Sequence, residues 1–211
     1  MKSKEALIAI VAVGVAAVSV YVASRGRSPK VNLDTYEVLG AVTAEETAKL
    51  LANKGRVLAM ARGSGDATNP SVEAELKAFR DTLKKHRTLE ISIEKVELPP
   101  MQMMATGGGI PADQMFKALE THPGLTALVL FLGFPPLLDS EVAALRKYGV
   151  KIVVVSAFQP DVQRLLQLGA IHLAIVPKTG PPETAPSART LRERFDQDYT
   201  ILTPISDAPS R

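Results

Sequence analysis

LTALVLFLGFPPLLDSEVAALRKYGVKIVVV, residues 125–155, is the stretch that decides the fold. Residues 125–132 form a continuous apolar run of strand length, and residues 150–155 form a second, rich in valine. Runs that are apolar at nearly every position, instead of at alternate ones, fit strands buried on both faces. Between them Asp139 stands where a helix cap is wanted, Val142 and Leu145 share one face, and Gly149 supplies a stop. Strand, helix and strand at this spacing join two parallel neighbours through a right-handed crossover.

The same alternation continues outward. Upstream, ThrAlaGluGlu at 43–46 pairs a hydroxyl with a glutamate three residues on, which predicts a helix beginning near Thr43, with Gly55 as its left-handed stop. Residues 56–61 predict a short buried strand. Asn69 and Pro70 suit the cap and first position of a second helix, whose stripe is Val72, Leu76, Phe79 and Leu83. Leu89, Ile91 and Ile93 alternate with Glu90, Ser92 and Glu94, so that strand is wet on one side and belongs at a sheet edge. Pro111 opens a third helix carrying Met115, Phe116 and Leu119, and residues 122–124 end it. Downstream, a helix over 160–168 stops at Gly169 and a strand follows over 170–176. These pieces predict an α/β fold: a doubly wound, five-stranded parallel sheet with helices on both faces, over residues 36–177. A proline-rich connection, 178–186, then leads to a C-terminal segment, 187–204, and a tail, 205–211. That segment holds a short helix with Leu191 and Phe195 inward and a last short strand over 199–202.

Ahead of this domain, a basic N-terminus, 1–5, precedes an uncharged apolar run, 6–23, and a basic linker, 24–35. Eighteen helical residues span about 27 Å, close to the hydrocarbon thickness of a bilayer. The run reads as a transmembrane helix or signal anchor. The alternative is a cleaved signal with its site after Ser24, for which the run is long. Arg25, Arg27 and Lys30 follow the run, so charge alone favours a cytoplasmic domain. A net charge of +3, scattered along the chain, gives no footprint for nucleic acid. With no cysteine there is no disulfide, thiolate metal site or cysteine nucleophile.

Several of these segments resemble one family. Gly40 and the alanine-bearing helix to residue 51, followed by GRVLAM at 55–60, resemble the opening of the second, C-terminal lobe of type I periplasmic binding proteins. That fold is shared by ribose- and galactose-binding proteins and lac-repressor-like regulators. Asn69 with ELKAFR at 75–80 is similar to the next helix of that lobe, and HPGLTALVL at 122–130 to its approach to a pocket-side strand. EVAALRKYG at 141–149, LLQLGAI at 165–171 and FDQDYTILTP at 195–204 resemble its later helix, its closing helix and strand, and its C-terminal strand. The resemblance runs from Tyr36 to Pro204 and covers one lobe. It implies an extracytoplasmic, ligand-binding module that could pair with a second copy or with a membrane protein. GFPP at 133–136 and SAFQ at 156–159 stand where the family often offers acidic or amide side chains, which leaves its sugar contacts without counterparts.

In open parallel sheets ligands sit beyond the carboxyl ends of the strands. The residues this rule selects are Arg62, Ser64, Asp66, Asn69, Phe134, Phe158 and Gln159. The turn at 62–66 could cradle an anion on free amides, or be a plain solvated turn; Thr68 replaces the third Rossmann glycine and no Walker lysine follows. Gly107, Gly108 and Gly109 form a hinge or a lid. Met101, Met103 and Met104 could offer soft thioethers to copper(I), or fill gaps under a loop. His86, His122 and His172 show no metal-binding interval, and no cofactor motif or serine–histidine–acid set is placed together. Three readings follow: a membrane-anchored, non-catalytic binding or sensing module; an assembly protein with a vestigial pocket; and an enzyme acting on a phosphorylated compound at the glycine turn.

Overall fold

A computed structural model describes residues 32–63, 65, 68–155, 161–179 and 190–204. The apolar run 6–23 and the site candidates Ser64, Asp66, Phe158 and Gln159 lie outside the described residues. Among the described residues no helix is long and apolar enough to cross a membrane.

The elements are α1 (Asp34–Leu50), β1 (Gly55–Arg62), α2 (Pro70–Leu83), β2 (Leu89–Val96), α3 (Pro100–Ala105), α4 (Ala112–Thr121) and β3 (Ala127–Leu130). Then come α5 (Asp139–Lys147), β4 (Lys151–Val155), α6 (Val162–Gln167), β5 (Leu173–Pro177), α7 (Leu191–Asp198) and β6 (Tyr199–Leu202). The sheet order is β2-β1-β3-β4-β5-β6. The first five strands pair in parallel, with Val57 opposite both Ile91 and Ala127, and Val153 opposite Leu173. The chain builds outward from β1 to β2, then returns to the other side of β1 for β3, which puts the topological switch point between β1 and β3.

Alternation along the strands sorts the core into two layers. Val57, Ala59, Val129, Val153 and Ile175 face α1, α2 and α7, where Val42, Phe79 and Phe195 are buried. Leu58, Met60, Leu128, Leu130, Ile152 and Val154 face α4, α5 and α6, where Met115, Leu145 and Leu166 are buried. Strands apolar at every position thus serve two helical layers, as the 125–155 pattern requires.

Four sequence expectations are corrected. The sheet has six strands, because β6 pairs antiparallel with β5, Tyr199 opposite Pro177 and Ile201 opposite Ile175. The reason is directional: α7 runs straight into β6 at the carboxyl end of β5, so the strand can only run back along it. The first helix begins at Asp34, nine residues before Thr43. Val38, Leu39 and Val42 are buried on it, and the Thr43 hydroxyl donates to Leu39 O at 2.7 Å inside the helix instead of capping it. Its end is turned by Ala52 and Asn53, both with positive φ, while Gly55 opens β1. Asp139 is the first residue of α5, not its cap; Glu141 accepts the Leu138 N–H at 2.7 Å and so caps that end from within. The Asn69 cap of α2 stands as read, its Oδ1 accepting the Ser71 N–H at 3.1 Å, and so does the edge position of β2.

Candidate functional site

The carboxyl ends of the parallel strands are built from three connections. After β1 the chain turns through Arg62, Gly63 and Gly65 toward Asn69. After β2 comes Glu97, the short helix α3, and the glycine turn at 107–109. After β3 come Phe131, Leu132, Gly133 and the run 134–138 that leads into α5.

The glycine turn after β1 carries its own anion. Both Glu97 carboxylate oxygens accept the Gly65 N–H, at 3.1 and 3.0 Å, and Gly63 N donates to Val96 O at 2.8 Å. A Cβ on Gly63 would lie 2.1 Å from Glu97 Oε1, so the glycine lets the carboxylate close over the turn. One amide of the turn, the Gly65 N–H, is therefore already engaged. Asn69 spends its side-chain oxygen on the α2 cap. Arg62 makes no ion pair among the described residues. Phe134 is 1% exposed and belongs to the α4–α6 core layer, while Asn69 begins α2 on the other face. The structure thus brings Arg62 and Asn69 to one turn, whereas Phe134 lines the groove described below.

The three methionines do not converge. Met103 packs against the core, whereas Met101 and Met104 are each 84% exposed on α3. No cluster of three metal-ligating His, Asp or Glu residues occurs among the described residues. His122 Nε2 lies 3.3 Å from Glu94 Oε1, and its Nδ1 lies 3.0 Å from Ala118 O. His172 sits at the amino end of β5, where its Nδ1 accepts the Ile152 N–H at 3.2 Å. Burial, with the nearby Lys151 charge, pulls its pKa down to about 4, which keeps the ring a neutral acceptor.

A groove of about 300 Å³ lies beyond β2, β3 and β4, and of the described residues selected from the sequence only Phe134 lines it. Thr106 and Gly107 form one side and Phe134, Pro135, Pro136 and Leu137 another; Val142 of α5, Leu165 of α6 and Leu168 at the C-cap of α6 complete the apolar wall. Asp139, Asp161 and Arg164 stand at the groove, and Arg164 Nη2 lies 3.3 Å from Asp139 Oδ1. The signal for it was present in ProPro at 135–136, which breaks the chain between β3 and α5 and leaves space where a regular crossover would pack. A wider trough between β2 and α4 is lined by charges of both signs, and the Glu94–His122 contact lies in it.

No protein-family model matches the chain, and no curated protein matches its sequence. Its fold is shared with solved solute-binding proteins. An arabinose binding protein from Geobacillus stearothermophilus aligns at TM-score 0.50 and 19% identity over 67% of this chain and 45% of that one. A glucose-galactose binding protein from Geobacillus stearothermophilus aligns at 0.52 and 15% over 84% and 62%. A chain of the XylFII–LytSN complex aligns at 0.53 and 16% over 80% and 60%. The chain spans about half the length of the first of these and less than two thirds of the others. At such identities the likeness is one of architecture: this chain has the fold of one lobe of the type I periplasmic binding proteins.

Proposed function

We propose that this chain is a membrane-tethered, extracytoplasmic binding or sensing module of one lobe, without catalytic activity, that takes a small molecule at the carboxyl end of its sheet. The observation that carries the reading is the groove itself. It is concave, mostly apolar, bounded by a few polar groups, and lies beyond the strand ends where open α/β sheets receive ligands. The apolar run 6–23 supports the tether, and the solute-binding fold supports the extracytoplasmic side. A thermal-shift screen of the full chain against sugars, amino acids and amines, with a C-terminal reporter fusion to report the side of the membrane, tests it. A stabilising ligand and an external C-terminus are expected. No shift with any class, or a cytoplasmic C-terminus, overturns it.

A second reading, assembly with a protein partner, rests on the exposure of Met101, Met104 and Leu138, which is 84%, 84% and 71%. Crosslinking in intact membranes separates the two. A defined adduct lost on Met104→Glu, with no ligand response, favours assembly.

A further inference from the structure

We infer that the groove selects a compact apolar cation, an alkyl or arylalkyl amine, and rejects sugars; the inference rests on the ligand-binding reading above and names its ligand class. The wall decides the apolar part. Pro135 and Pro136 stand side by side in it and neither has an N–H to donate. Leu165 and Leu168 face them from α6 and its C-cap with hydrocarbon alone. A sugar entering here would give up water at each hydroxyl, and the hydroxyls that meet the proline and leucine wall would be left unpaired. A hydrocarbon chain or ring loses nothing by the same transfer.

The charges at the groove decide the sign. Arg164 is paired with Asp139 at 3.3 Å, so one positive and one negative charge offset each other there. The Asp161 carboxylate has no hydrogen bond or ion pair among the described residues and leaves one surplus negative charge. An ammonium placed near Asp161 restores neutrality, whereas a carboxylate or phosphate would meet it as a like charge. The volume, about 300 Å³, stands at the small end of known ligand pockets and suits a molecule of roughly ten heavy atoms.

The test is calorimetric titration of the full chain in lipid nanodiscs with phenethylamine, its neutral counterpart 2-phenylethanol, and galactose. Saturable phenethylamine binding is expected, with 2-phenylethanol several-fold weaker and galactose silent. Asp161→Asn should bring the amine to the affinity of the alcohol. Leu168→Lys, at a position already 37% exposed and so compatible with folding, should abolish amine binding while leaving the melting temperature within a few degrees. Galactose binding with the amine silent would overturn the ligand class and leave the binding reading standing. Amine binding that survives Leu168→Lys would place the ligand outside the groove and overturn the inference alone. Silence of all three probes overturns the inference; silence across the wider screen overturns the binding reading as well.

Discussion

The two helical layers on this sheet are packed to different ends. In the layer of α1, α2 and α7 the helices press together until backbone meets backbone. Gly40 of α1 lies so near α2 that a Cβ there would stand 2.1 Å from Glu75 O. Arg192 of α7 reaches Glu46 of α1 at 2.8 Å, and Arg194 pairs with Asp34. In the layer of α4, α5 and α6 the β3–α5 connection turns through two prolines, and the groove opens there. One sheet therefore carries a sealed side and a receptive side. The difference teaches that a close helix–helix approach closes one face of the sheet, while a crossover broken by two prolines leaves a groove on the other.

The strongest way to break the contrast is Gly40→Ala. The new methyl would meet helix backbone, which cannot swing aside as a side chain can, so α1 and α2 must separate. A loss of about 3 kcal/mol or more is expected on chemical denaturation. Gly63→Ala is the control: the atoms nearest its Cβ belong to the Glu97 carboxylate, a flexible end, and a much smaller loss is expected.

A second effect comes from a carboxyl sealed in the closed layer. Glu75 is 8% exposed, its carboxyl has no hydrogen bond among the described residues, and burial pushes its pKa up to about 8. Its folded pKa lies above the unfolded one, near 4.5, so its contribution is full below that value and is lost as pH rises toward 8. The slope is at most about 1.4 kcal/mol per pH unit. His172 acts in the other direction: its lowered pKa favours the fold above its ordinary value of 6.5, and that support is lost as pH falls toward 4. Glu75→Leu should remove the fall in stability between about pH 4.5 and 8 and, below 6.5 where the two windows overlap, uncover the opposite His172 slope. A fall over pH 6.5 to 8 that persists in Glu75→Leu would assign it to another group.

Smaller effects sharpen the comparison. Asn69→Ala removes the cap of α2 and should cost about 1 kcal/mol. Arg164→Ala, on the receptive side, breaks an ion pair whose side chains are 64% and 88% exposed, and should change stability by about 0.5 kcal/mol or less. A larger loss there would mean that the groove is braced, not open.

How much of this was legible follows from which forces are local. The stripe Val72, Leu76, Phe79 and Leu83 and the run 125–132 announce their elements because burial imposes a period on the chain itself. Thr43 misled because a hydroxyl followed by glutamate looks alike at a helix start and in a helix middle; the burial of Val38, Leu39 and Val42 against the sheet decided between them. Arg62 and Asn69 were readable as ends of a strand-end turn, but Glu97, about thirty residues on, is what fills that turn.

The sequence by itself determined the alternation of strand and helix, the wet edge at β2, the absence of cysteine chemistry, and an apolar N-terminal run, since each depends on residue type and spacing alone. Only the tertiary structure decided that β6 reverses onto β5, that Phe134 is core, that Glu75 is sealed away from water, and that Pro135, Pro136 and α6 enclose a groove. Those outcomes depend on which distant segments meet, and a pattern of neighbours along a chain carries no record of contacts across it.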